Sequence, residues 1–146
     1  MCDAKPALVP RKNVLIAEDD PDIARLLASG IGEGLSVATL TIANGALVPE
    51  VVATARPDLL VLDLSLPGLS GLDVFDLVRS DPRFASLPVL FLTASPEKAA
   101  AAFSPTGVQR VMGKPFDVDA LVAAVRGMLD GDIAMSDPVK TVETAA

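Results

Sequence analysis

The chain has no histidine, and Cys2 is the one cysteine among its 146 residues. Without histidine there is no serine or cysteine relay of the usual kind, no ordinary neutral-pH general base and no phosphohistidine. A single cysteine excludes an internal disulfide and, with no histidine to join it, a zinc centre. Cys2 is therefore read as an exposed thiol. Basic residues number 12 against 19 acidic ones and form no run, so the positive stripe that nucleic acid or an anionic membrane requires is missing. Apolar runs fall short of a membrane span and no charged-then-apolar leader opens the sequence, so a cytosolic protein is expected. The net charge of −7 is uninformative, because solubility alone accounts for it.

Half of the sequence is apolar, and its length suits one compact domain with a sizeable core. Residues 1–12 read as an unstructured lead-in, 13–130 as the folded unit and 131–146 as a tail without periodicity. Within the unit, short apolar runs alternate with helical patterns. Strands are expected at 14–17, 36–41, 59–62, 88–92 and 110–112. Helices are expected at about 21–33, 47–55, 72–79, 96–103 and 118–129, the one at 96–103 being weaker and rich in alanine. Asp20 is placed to cap the first helix, with Pro21 at its first position and Gly34 at its end. Pro49 is tolerable only in the first turn of its helix. Five strands alternating with five helices imply a doubly wound α/β fold, a parallel sheet covered on both faces.

In such sheets, sites form at the carboxyl ends of the strands, beside the point where strand order reverses. The polar residues fall there. Glu18 and Asp19 follow the first strand, Asp63 the third and Thr93 the fourth, and Lys114 follows the fifth. Three neighbouring carboxylates repel, so they share either a proton or a cation. An all-oxygen set that also meets phosphate suits Mg²⁺. Thr93 and Lys114 add a hydroxyl donor and a positive charge, which a transferring phosphoryl group needs. Asp63 is then the nucleophile that forms an acyl phosphate.

The stretches Val14 to Ile23 (VLIAEDDPDI), Asp58 to Gly71 (DLLVLDLSLPGLSG), Pro88 to Ala94 (PVLFLTA) and Lys114 to Phe116 (KPF) resemble, in order and spacing, the signature of response-regulator receiver domains. The likeness runs from about Asn13 to Leu129. It implies a flavodoxin-like sheet of order 2-1-3-4-5 and a phosphorylation-dependent switch acting in a two-component system or phosphorelay. Glu18 and Asp19 match the acidic pair that holds Mg²⁺, Asp63 matches the phosphoacceptor, and the backbone carbonyl of Ser65 completes the metal site. Thr93, Ala94 and Lys114 match the residues that receive the phosphoryl group, and the bond from Lys114 to Pro115 is often cis in the family. Ser65 and Ser95 occupy the positions that tune hydrolysis of the acyl phosphate, which is expected to be slow. The resemblance also implies a histidine kinase or phosphotransfer protein as donor, an unidentified downstream protein and a possible homodimer. Neither nucleic acid nor membrane is expected as a direct partner. Met1 and the tail lead to a single-domain regulator as the expectation.

One departure stands out. Three residues before the lysine, where the family places Tyr or Phe, this chain has Val111, and it contains no Tyr or Trp anywhere. The segment from Thr93 to Lys114 is also about one residue shorter than usual, with Pro105 limiting its helix. A phosphate-insensitive binding module is the first alternative. An aspartate-nucleophile phosphatase is the second, but Ser65 stands where that class usually has another Asp. Gly30, Gly32 and Gly34 imitate a nucleotide-binding loop, yet they lie late in a helix and cannot cradle phosphate. Phe103 and Phe116 are read as core anchors.

Overall fold

The computed structural model describes residues 12–97, 99 and 108–130. In chain order the elements are β1 (Asn13–Ala17), α1 (Pro21–Leu35), β2 (Ala38–Ile42), α2 (Val48–Ala55) and β3 (Leu59–Asp63). They continue with α3 (Gly71–Ser80), β4 (Val89–Thr93), β5 (Gln109–Gly113) and α4 (Val118–Leu129). Short 3₁₀ turns occupy Gly45–Leu47 and Pro82–Phe84. The five strands form one sheet in the order β2-β1-β3-β4-β5, every neighbouring pair parallel. This is the expected doubly wound topology, with four α-helices among the described residues. The expected helix at 96–103 falls largely outside them, although Pro96, Glu97 and Ala99 are helical. Phe103, Pro105, Cys2 and nearly all of the lead-in and tail also lie outside.

Strand residues alternate between two cores. Leu15, Leu60, Leu62 and Phe91 pack with Val48 and Val52 of α2 and Val74 and Phe75 of α3. Val14, Val61, Leu92 and Met112 pack on the opposite face with Leu27 and Ile31 of α1 and Leu121 and Val125 of α4. Phe116 joins this second cluster as a half-buried member, as an anchor should. Burial on both faces explains why the strands read as continuous apolar runs.

The helix ends show where local chemistry decides and where packing does. Asp20 caps α1, its side chain accepting from the amides of Asp22 at 2.9 Å and Ile23 at 3.3 Å. At the other end, α1 does not stop at Gly34. It runs to Leu35 and closes on Ser36 in the left-handed conformation at φ 56, so β2 starts at Ala38 instead of 36. Gly34 is needed bare for a different purpose: an added Cβ would lie 3.2 Å from Val122 of α4. Gly30, one turn earlier, is tighter still, its Cβ falling 2.9 Å from Val118 Cγ1. The glycines are a helix-crossing groove.

Gly32 points elsewhere, where an added methyl would make ordinary contacts of 3.6 Å and beyond. Gly32→Ala is therefore expected to stabilise the fold by about 0.5–1 kcal/mol through helix propensity. Gly30→Ala has the same propensity gain but must displace a stiff valine, and a net loss of about 1 kcal/mol is expected. Urea unfolding followed by far-ultraviolet circular dichroism, with unchanged m-values, checks the opposite signs.

Candidate functional site

Strand register assembles the rim. Ala17 pairs with Leu62, so Glu18 emerges beside Asp63, and Thr93 pairs with Gly113, so Lys114 emerges beside both. β1 lies between β2 and β3, which makes its carboxyl end the point where the winding reverses. Backbone bonds stitch these ends together: Glu18 N–H donates to Ile42 at 3.0 Å, Leu64 N–H to Leu92 at 3.0 Å and Lys114 N–H to Thr93 at 2.8 Å.

Three strand-end side chains are then fixed in the same manner, each accepting from the backbone amide two residues on. Asp63 Oδ1 accepts from Ser65 at 2.9 Å, Thr93 Oγ1 from Ser95 at 3.0 Å and Glu18 Oε2 from Asp20 at 3.1 Å. These local turns aim the groups before any ligand arrives. The remaining oxygens converge on one ammonium. Lys114 Nζ lies 3.0 Å from Asp63 Oδ2 and 3.3 Å from Glu18 Oε1. The bond from Lys114 to Pro115 is cis.

Glu18 and Asp63 are each only 2% exposed, whereas Asp19 opens to solvent. Burial pushes the Glu18 carboxyl above the ordinary glutamate value; the Asp63 charge adds to this, while the Asp20 amide and Lys114 oppose it. Burial also works against the Lys114 ammonium, yet its hydrogen bonds and charge contacts with Asp63 and then Glu18 hold its pKa above the ordinary lysine value. Glu18, Asp19 and Asp63 each offer one oxygen within 4.8 Å of the others. An all-oxygen donor set with one open side fits a hard divalent cation. Thr93 is buried at the same rim, Ala94 and Ser65 are exposed, and Ser95 is half-buried. Of the residues expected at the site, those that end or follow β1, β3, β4 and β5 lie at the carboxyl-end rim, whereas Val111 lies within β5.

Residues 14–126 match the family described as the response regulator receiver domain. The chain is a receiver domain of the response-regulator family. Receiver domains of this kind are the phosphorylation-dependent switches of two-component signalling. This one is 36% identical over 121 residues to the DNA-binding response regulator MtrA of Mycolicibacterium smegmatis, covering 82% of the present chain and 51% of that protein. It is 34% identical over 122 residues to the sensor histidine kinase TmoS of Ectopseudomonas mendocina, covering 83% of the chain but 12% of the kinase. The chain therefore spans about half the length of one relative and a small part of the other. Among solved structures, a sensor protein from Polaromonas sp. JS666 superposes with a TM-score of 0.74 at 28% identity, covering 86% of this chain and all of that one. No helix of the receiver domain's described residues is long and apolar enough to cross a membrane.

Val111, where the family's ring is missing, is 8% exposed and packs in the core cluster that holds Phe91 and Ala99. The sequence reading did not single out Asn44 and Gly45, which sit against the loop carrying Ser65. Their Asn-Gly pairing is itself a turn signal, and so is Pro67-Gly68 across from it.

Proposed function

We propose that Asp63 accepts a phosphoryl group from a phosphohistidine donor and that residues 13–130 respond as the switch. One observation carries the reading: the buried Asp63 carboxylate is held by the Ser65 amide on one oxygen and by Lys114 on the other, beside two further carboxylates. In the transfer, an Asp63 oxygen attacks phosphorus while the bond to the donor breaks, and the donor leaves with that electron pair. Lys114 Nζ turns from the carboxylate to the incoming phosphoryl oxygens, and the Thr93 hydroxyl, already accepting from Ser95, keeps its own proton to donate. Exposed Ala94 leaves the approach open. Glu18, Asp19, Asp63 and the backbone carbonyl of Ser65 would hold Mg²⁺, which supplies charge neutralisation between nucleophile and phosphoryl group. Ser65 and Ser95 border the acyl phosphate and set its slow hydrolysis. The donor is a sensor histidine kinase or a phosphotransfer protein, and the setting is cytoplasmic.

Incubation with a small donor such as acetyl phosphate tests this. Intact-mass spectrometry is expected to find one added phosphoryl group in Mg²⁺ and none in EDTA. Absence of the adduct in Mg²⁺ overturns the proposal. Val111 supports a second reading, a receiver fold that binds partners regardless of phosphate, because a small buried valine offers no ring to reorient. Amide spectra unchanged by beryllofluoride with Mg²⁺ would favour that reading; shifts reaching β5 favour the switch.

A further inference from the structure

The loop that carries Ser65 is clasped from outside the site. Gly45 N–H donates to the Pro67 carbonyl at 2.9 Å, and a Cβ on Gly45 would run into the backbone oxygen of Leu69. Opposite it, Gly68 adopts φ +89, and a Cβ there would run into Asn44 Oδ1. Asn44 is itself fixed, its Oδ1 accepting from the Ala46 amide at 2.8 Å. At the loop's far end, Gly71 N–H reaches the Leu64 carbonyl at 3.3 Å, and an added Cβ would stand 2.6 Å from Leu64 Cα. Residues 64–71 are thus pinned at the crest by one neighbouring loop and at the base by their own helix, with Ser65 between.

Such close backbone contact is more than covering a surface requires. Gly45 and Gly71 give up a side chain so that main-chain atoms can meet, and Gly68 does so to take a positive φ against the Asn44 side chain. Ser65 is exposed and its side chain takes no part in the clasp, so what the two pins hold is the path of its backbone. We infer that Asn44 and Gly45 are positioning residues for Mg²⁺, acting through the Ser65 carbonyl although neither belongs to the ligand set. The inference rests on the reading of the site given above. Partners that hydrogen-bond a ligand directly change metal affinity by about 10- to 100-fold when removed, and a clasp that acts from two residues away belongs at the lower end.

The test is a calorimetric titration of the folded chain with Mg²⁺ alone, paired with the Mg²⁺ dependence of acetyl-phosphate labelling. Gly45→Ala is expected to weaken Mg²⁺ binding about tenfold while labelling at saturating Mg²⁺ returns to the wild-type level. Gly30→Ala, which strains the α1–α4 crossing instead, is expected to leave the Mg²⁺ constant within about twofold, so that general destabilisation is separated from positioning. Wild-type affinity in Gly45→Ala, or an equal loss in Gly30→Ala, overturns the inference. Should Gly45→Ala fail to fold, Asn44→Ala decides. An affinity weakened by about threefold supports the clasp, and an unchanged one removes it. A wild-type chain that neither binds Mg²⁺ nor labels brings down the reading of the site first, and the clasp with it.

Discussion

Replacing Asp63 by asparagine is expected to abolish acyl-phosphate formation while leaving the domain folded. Asparagine keeps an oxygen that can accept from the Ser65 amide, now 2.9 Å from Asp63 Oδ1, so the turn after β3 survives. It cannot supply the carboxylate nucleophile, because an amide does not yield a stable acyl phosphate under these conditions. The crowding of charge also falls, since Asp63 is one cause of the raised Glu18 pKa, and this offsets part of the lost contact with Lys114. Labelling with acetyl phosphate in Mg²⁺ should drop by roughly a hundredfold or more, to background. Thermal unfolding should move little by comparison. Undiminished labelling of Asp63→Asn would place the acceptor elsewhere and sink the assignment.

The loss should be one of chemistry and not of access. Glu18, among the described residues the only other acidic one buried as deeply, accepts from the Asp20 amide and contacts Lys114. It keeps both interactions in the variant. Were Glu18 to take over as acceptor, peptide mapping of the adduct would find it on the segment after β1 instead of β3.

Much of this rim is legible in the sequence, and for a physical reason. A parallel strand buried on both faces shows as an unbroken apolar run, and the first polar residue after it marks the edge where water and ligands begin. Leu59 to Leu62 followed by Asp63 is the clearest case, all five residues being buried. What sequence patterns conceal is set by tertiary contact. Gly34 looks like a helix terminator because glycine tolerates positive φ, yet Ser36 takes that conformation and Gly34 is spent on contact with Val122. The turn at Pro82–Phe84 likewise escapes a periodicity argument, because it is held by one aspartate cap and by Arg79 reaching the Phe84 carbonyl at 2.9 Å. The clasp at Gly45 is hidden most thoroughly. Asn44-Gly45 and Pro67-Gly68 mark two turns in the sequence, but nothing in either pair says that the two turns meet.

Lys114→Met carries the second large effect, on stability as well as on chemistry. Each contact of Lys114, at 3.0 Å to Asp63 and 3.3 Å to Glu18, has a gross attraction of about 5 kcal/mol at an effective dielectric near 20. Desolvation offsets most of that in the intact site. Methionine keeps the stem but removes the charge, leaving two carboxylates 2% exposed and close together without a cation. Breaking a buried pair in this way costs about 3–5 kcal/mol, and a value near 3 is expected because the Asp19 side of the rim is open to water. The penalty has a ceiling. Glu18 already holds its proton more tightly than an ordinary glutamate, and Lys114 is among the groups that keep it ionised. Without the lysine, proton uptake by Glu18 relieves the repulsion once the charge cost exceeds the cost of protonation. Mg²⁺ restores a positive charge to the same oxygens, so millimolar Mg²⁺ should raise the melting temperature of Lys114→Met far more than that of the wild type. Labelling should stay low even when Mg²⁺ rescues the fold, because the ammonium that meets the phosphoryl oxygens has gone. A variant that melts like the wild type in EDTA, with no extra response to Mg²⁺, would mean that Lys114 does not neutralise these carboxylates.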